Sequence, residues 1–199
     1  MEYLWQIPLI LVVGAFAGFL NVVAGGGSLL TLPFLIFLGL PAVMANGTNR
    51  IAIFIQNASG ITGFRHKGDS DFRYGALLAA PAVVGALIGA SIAIDMNEVL
   101  FKWVLAGIMV GVSINGFDLV RTNAIKILVV FFYTVITLVI FIKSENVNWF
   151  LGLTLAVGNA SGAWFGSQWA VDKGEKWIKV VLVVTVLAFA VRLVWQSFG

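Results

Sequence analysis

The 199-residue chain contains no cysteine and few charged residues. The absence of cysteine excludes disulfide bonds, thiolate chemistry and cysteine-based metal sites. Charged residues make up 11% of the sequence, whereas soluble globular proteins have about 25%. Hydrophobic residues make up 60%, and the mean hydropathy is +1.01. A chain of this composition cannot present a hydrated surface, and we therefore predict a polytopic membrane protein.

Acidic residues are missing from the apolar segments, and the chain has a single histidine, His66. We find no nucleophile–base pair, no paired carboxylates within the membrane segments and no HExxH pattern. We therefore expect no enzymatic activity, no metal site and no cofactor. The basic residues flank apolar runs, as the positive-inside rule describes. The isoelectric point of about 9.4 is thereby explained without a nucleic-acid partner.

The apolar runs predict an all-α transmembrane bundle. A helix needs about 20 apolar residues to cross a bilayer, and about seven segments qualify. Residues 28–40 are strongly apolar but too few to cross, so they predict a half-helix or a re-entrant segment. We expect a single transmembrane transporter domain, 1–199, in the inner membrane. The spanning candidates are 3–23, 42–63, 74–94, 99–117, 119–142, 149–171 and 177–198.

Two parts of the chain match each other at a nearly constant offset. Gly85–Gly89 matches Gly162–Gly166, and charged residues that follow each match are also shared. The charge bias of corresponding loops is reversed between the copies, which indicates an inverted-topology repeat. We place repeat 1 at about 1–115 and repeat 2 at about 116–199. The second copy lacks the front element of the first, either by shortening or by omission of residues.

A polar stripe follows one side of the predicted helix 42–63. At 100° per residue its five members share one face: Asn46, Asn49, Arg50, Gln56 and Asn57. Arg50 lies about 12 Å into this helix, where a charge costs at least about 2.5 kcal/mol. An anionic ligand is a natural partner, because guanidinium matches carboxylate, sulfonate or phosphate oxygens. The alternatives are that Arg50 caps backbone carbonyls at a broken helix or snorkels to the interface.

A second cation, Lys126, occupies the position related to Arg50 by the repeat. It shares one side of its predicted helix with Asn123 and Tyr133. Two cations related by pseudo-symmetry would converge near the midplane of the membrane. The alternative is that Lys126 snorkels from the start of its helix.

Three glycines, Gly25–Gly27, interrupt the apolar sequence before Ser28. Backbone N–H groups at a helix start attract anions, and irregular backbone at membrane depth is tolerated only against protein or a water-filled cavity. The alternative is a turn at the bilayer surface. The candidate substrate-binding residues are Asn21, Gly25, Gly26, Gly27, Ser28, Asn46, Thr48, Asn49, Arg50, Gln56, Asn57, Asn123 and Lys126.

The stretch Gly18–Pro33, with Gly39–Pro41 and Ala45–Arg50, resembles the sulfite exporter TauE/SafE family. The similarity continues through Ala124–Lys126 and Gly158–Gly166. The resemblance implies about eight membrane segments in two repeats, and transport of sulfur-containing anions such as sulfite or organosulfonates.

The expected function is transport of a small anion, bound near the midplane by Arg50, Lys126 and the glycine-rich break. A non-transporting membrane scaffold or a passive anion channel remain alternatives. The expected partners are a small anionic substrate and the lipid bilayer, with a possible homo-oligomer.

Overall fold

The computed structural model describes residues 6–24, 27–68, 77 and 119–198, and these residues form helices joined by short connections. No strand occurs within those ranges, so the all-α prediction is confirmed for them. The predicted span 74–94 apart from Leu77, the span 99–117, and Gly25 and Gly26 lie outside the described residues. The helices are α1 Ile7–Val23, α2 Ser28–Phe37, α3 Ala42–His66, α4 Leu119–Lys143 and α5 Trp149–Phe198.

Helix α2 is short, as its sequence predicts. Its 10 residues reach about 15 Å, half the thickness of a bilayer core. It ends before the predicted limit because Gly39 adopts a φ of 94°, in the left-handed region that favours glycine. The N–H of Leu40 then bonds to the carbonyl of Leu35 at 3.2 Å. This turn directs the chain into α3.

Helix α5 contains a break where two separate spans were predicted. Gly174 has φ 73° and ψ −174°, so the helical geometry is interrupted at one residue. Beside the break, the Lys67 ammonium and the Asp172 carboxylate form an exposed ion pair at 2.7 Å. The pair connects the turn after α3 to the end of the first part of α5.

Helices α1 and α5 approach so closely that their backbones touch. A Cβ atom at Gly18 would overlap the backbone oxygen of Asn159, and one at Gly162 would overlap the backbone oxygen of Ala15. Such contacts require glycine and are common between membrane helices. The small residues of α1 and α5 therefore allow close packing of these two helices. The pattern Gly85–Gly89 lies in the part of the chain that is not described.

Buried apolar residues form two clusters along α3 and α5. One includes Ile51 and Leu155, and the other includes Phe64 and Ala163. The interior of both helices between these clusters carries buried polar side chains instead. A polar layer therefore crosses the bundle near the middle of α3 and of the first part of α5.

The outer surface is rich in large apolar side chains. Val12, Phe16, Phe37 and Phe165 are each more than half exposed. Within the described ranges, one stretch, Thr122–Lys143, has the length and the hydropathy, 2.7, to cross a membrane, and α1 is apolar with 17 residues. An apolar exterior around a polar layer is the arrangement of a helical membrane protein with an internal polar site.

Candidate functional site

Lys126 lies inside the bundle and binds the C-terminal end of α1. Its ammonium donates to the backbone oxygens of Asn21 and Val22 at 3.0 and 3.4 Å, and to Oδ1 of Asn123 at 2.9 Å. The residue is 4% exposed, so its side chain does not snorkel to the interface. The last carbonyls of a helix have no intrahelical partner and carry the negative end of the helix dipole. Lys126 therefore neutralises the end of α1.

Asn123 completes this cap. Its Nδ2 donates to the backbone oxygen of Val23 at 3.0 Å, while its Oδ1 accepts from Lys126. Two side chains one turn apart on α4 thus satisfy three consecutive carbonyls of α1. Capping of a broken helix was considered above as a role for Arg50, and the structure assigns it to Lys126 and Asn123.

Arg50 has a neutral partner on α4. Its Nη1 donates to the hydroxyl of Tyr133 at 2.5 Å, and Cζ lies 5.1 Å from the Tyr133 ring centroid and 6.0 Å from that of Phe141. Among the described residues no carboxylate pairs with Arg50, and its buried Nε has no hydrogen-bond partner there. The two rings stabilise the cation, and within the described ranges they supply no opposite charge to it.

The two cations contact the same buried side of α4 at different levels. Lys126 and Tyr133, the partner of Arg50, are seven residues apart, which corresponds to about 10 Å along a helix. Each cation is held by its own partners, and no hydrogen bond joins the two groups within the described ranges. The site is therefore extended along α4.

Amide side chains of α3 line the polar layer. Asn49, Gln56 and Asn57 are each at most 1% exposed. Oε1 of Gln56 accepts a hydrogen bond from Nδ2 of Asn159 in α5 at 2.9 Å. Within the described part of the chain, several of their buried polar atoms have no partner: Asn49 Oδ1, Gln56 Nε2, both polar atoms of Asn57, and Asn159 Oδ1. Buried polar atoms are normally paired, so these amides mark a place suited to a polar ligand.

Thr48 contacts the residue that precedes the first turn of α5. Its Oγ1 accepts the backbone N–H of Asn148 at 2.9 Å, and Asn148 Oδ1 accepts the N–H of Leu151 at 3.1 Å. The second bond is an N-cap, so Thr48 positions the residue that begins α5. Asn46 is half-buried on the same helix as Thr48.

Gly27 lies against α1 at the start of α2. A Cβ atom there would come within 2.6 Å of Asn21 Cβ, so the glycine permits this close approach. The side chains of Asn21 and Ser28 are half-buried. The structure therefore brings Asn21, Gly27, Asn123 and Lys126 together around the end of α1. Arg50 lies further along α4.

Two residues of the site were not among the sequence candidates. Tyr133 was recognised as sharing a side with Lys126, but its contact with Arg50 depends on how α3 and α4 pair. Asn159 lies in the stretch Gly158–Gly166, which entered the sequence analysis through the family resemblance alone. A signal was present, because an asparagine on a packing face of a membrane helix needs a hydrogen-bond partner.

The described residues contain no group of three His, Cys, Asp or Glu side chains that could hold a metal ion. The donors at the site are an ammonium, a guanidinium, amides and a phenol. Such groups bind oxyanions and hydrogen-bonding solutes.

Comparison with protein families gives a match to the model described as Sulfite exporter TauE/SafE, at residues 10–117 and 112–193. The chain is 25% identical to a probable membrane transporter protein, ORF9, of a Sinorhizobium species, with 92% of this chain and 90% of that protein covered. It is 23% identical to the probable membrane transporter protein YfcA of Escherichia coli K12, with 94% and 89% covered. No solved structure matches the chain.

The alignments also show a difference in length. They extend over 236 and 239 positions, more than the 199 residues of this chain. The relatives therefore have residues with no counterpart here. The two matches to the family model meet at residues 112–117, where the second copy of the repeat was expected to lack its front element.

Proposed function

The chain belongs to the sulfite exporter TauE/SafE family, and we propose that it transports small sulfur-containing anions, such as sulfite or organosulfonates, across the inner membrane. It is a membrane transporter by family, and all described elements are helical. The observation that supports an anionic substrate is that Arg50 contacts Tyr133 and Phe141 and has no carboxylate partner among the described residues.

Arg50 is the proposed primary ligand of the anion. Its Nε lacks a partner among the described residues, and its Nη1 is held by a phenol that carries no charge. A guanidinium presents several N–H groups in one plane, which match two oxygens of a sulfite or sulfonate group. Tyr133 fixes the orientation of this plane while leaving the charge for the substrate.

Lys126 has a different proposed role. Its contacts are with carbonyls of α1 and with Asn123, so it holds the broken end of α1 and adds positive potential near the site. The buried amides on α3, Asn49, Gln56 and Asn57, would bind substrate oxygens. Further proposed substrate ligands, at the edges of the transport path, are Asn46, Thr48, Ser28 and the backbone amides of Gly25–Gly27.

The proposed architecture is one transmembrane domain, 1–199, with two inverted halves at about 1–115 and 116–199. The reversed loop charges support this arrangement, as does the meeting of the two family matches at 112–117. In such transporters the substrate site lies near the midplane, where the halves meet. Arg50 and Lys126 occupy related positions in this scheme.

The decisive experiment replaces Arg50 by glutamine in the full chain, reconstituted in lipid vesicles. We expect sulfite flux to fall at least about tenfold, a change of about 1.4 kcal/mol, with the thermal unfolding temperature nearly unchanged. Arg65→Gln, an exposed arginine at the end of the same helix, is the matched control. Flux that is the same in both variants would exclude Arg50 as the anion ligand.

A second candidate function is a scaffold without transport, because the relatives have residues with no counterpart in this chain. Vesicles that contain the unmodified protein but show no anion flux would favour it. Flux that never accumulates sulfite against its own gradient, under an imposed membrane potential or proton gradient, would instead favour a passive channel.

A further inference from the structure

The buried amides of Gln56, Asn57 and Asn159 present hydrogen-bond acceptors as well as donors, which a bare oxyanion does not require. We propose that these three side chains form a neutral subsite that binds an O–H or N–H group of the transported anion. The substrate would then be a hydrogen-bond donor in addition to carrying negative charge. This inference rests on the proposed function and narrows its substrate class.

The unpaired atoms of these three side chains include as many hydrogen-bond acceptors as donors. Within the described part of the chain, Asn57 has an unpaired oxygen and an unpaired nitrogen, Asn159 an unpaired oxygen and Gln56 an unpaired nitrogen. Two acceptors and two donors are therefore available. An oxyanion without a proton has only acceptor oxygens, so it can pair with the two N–H₂ groups but not with the two amide oxygens.

The number of unpaired donors equals the number of unpaired acceptors whichever way the amide groups are rotated. Asn159 and Gln56 share one hydrogen bond of 2.9 Å. If both amide groups were rotated by 180°, the bond would run from Gln56 to Asn159 and would again leave one donor and one acceptor. Asn57 retains one of each in either orientation.

The subsite lies where four helices meet. Gln56 and Asn57 are near the middle of α3, and a Cβ atom at Gly60, one turn later, would lie 3.0, 3.3 and 3.8 Å from side chains of α4, α1 and α5. The α1 side chain is that of Val22, whose carbonyl Lys126 binds. The amides thus lie one turn of α3 away from a position that packs against the capped end of α1.

Arg50 and Asn57 are seven residues apart on α3, so they face the same direction about 10 Å from each other. An anion at Arg50 that moves two turns along this face reaches the amides. Unpaired acceptors in a membrane interior are costly, and a substrate hydroxyl would satisfy them. The amides therefore form a second binding position on the proposed transport path. This position favours anions that carry a hydrogen-bond donor.

Two anions of equal charge and nearly equal size test this proposal. They are 2-hydroxyethanesulfonate and propane-1-sulfonate, which differ by a hydroxyl in place of a methyl group. The dissociation constant of each is measured with the purified full chain in detergent. We expect the hydroxyl compound to bind about tenfold more tightly, a difference of about 1.4 kcal/mol. Equal binding would overturn the subsite.

Variants then assign the preference to the amides. Asn57→Leu and Asn159→Leu keep the side-chain size and remove the donor and acceptor, and we expect either to reduce the tenfold ratio to about one. Thr154→Val, at an exposed position of α5, should retain it. If a leucine variant does not fold, the ratio of the two dissociation constants in the unmodified protein still tests whether the subsite exists. A ratio that persists in both folded variants would place the donor contact elsewhere and refute the assignment.

Arg50→Gln separates this inference from the proposed function. If both sulfonates bind equally well and both lose binding in Arg50→Gln, anion transport through Arg50 stands and the amide subsite fails. If neither sulfonate nor sulfite binds to the unmodified protein, both proposals fail together.

Discussion

Arg50 and Lys126, the two cations of the candidate site, have opposite surroundings. Lys126 is 4% exposed, and its ammonium contacts two backbone carbonyls and an amide oxygen. Arg50 is half-buried and contacts one phenol hydroxyl and two aromatic rings. The first has a full set of hydrogen bonds, whereas the second retains an unpaired N–H among the described residues.

This difference in hydrogen-bond partners distinguishes a charge with a structural role from a charge that is suited to binding a ligand. A lysine that satisfies a helix end stabilises the fold, and its removal leaves buried carbonyls without partners. An arginine held by neutral groups keeps its positive potential for another charge. The deep position of a cation in a membrane protein therefore does not by itself identify a ligand site; its hydrogen-bond partners do.

The largest effect is expected from Lys126→Met. The substitution keeps the length of the side chain but removes the ammonium that binds the carbonyls of Asn21 and Val22, and we expect a loss of about 2–3 kcal/mol of stability. Thermal or denaturant-induced unfolding in detergent measures it. Lys143→Met, at the exposed end of the same helix, should be nearly neutral. Similar unfolding curves for both variants would contradict the capping role of Lys126.

A smaller effect is expected from Tyr133→Phe. The ring remains, so the cation–π contact with Arg50 is kept, but the hydroxyl that fixes the guanidinium is lost. We expect sulfite to bind about fivefold more weakly, close to 1 kcal/mol, with little change in unfolding temperature. Equilibrium binding to the purified protein measures the constant. Unchanged affinity would show that Arg50 does not need this hydroxyl to be oriented.

The smallest effect is expected from Lys67→Met, which removes the ion pair with Asp172. Both side chains are substantially exposed, at 32% and 55%, and exposed pairs contribute about 0–1 kcal/mol. We expect unfolding to change by less than about 0.5 kcal/mol. A loss as large as that of Lys126→Met would mean that charge pairing at the surface and capping in the interior are equally important here.

The helices were predictable because their patterns are local. The stripe on α3 predicted that Gln56 and Asn57 share one face. The short apolar run 28–40 predicted that α2 is too short to cross a bilayer. These properties depend on residues within one or two turns of each other, so the sequence contains them directly.

The partners of the cations were not predictable in the same way. Arg50 was expected to need an anion because no acidic residue was available, but a neutral phenol from α4 also contacts it. Lys126 was paired with Arg50 by repeat symmetry, yet its partners are carbonyls of α1. Both contacts depend on which helices are neighbours and at what height, and hydropathy and periodicity do not contain that information.

The close approach of α1 and α5, at Gly18 against Asn159 and at Gly162 against Ala15, restricts how the protein can change shape. Where two backbones touch, a shift of either helix by one residue would drive a side chain into the main chain of the other. We therefore expect helix α1 and the first part of α5 to move as a single rigid body, so that any opening of the site to either side of the membrane would come from displacement of the other helices against that body.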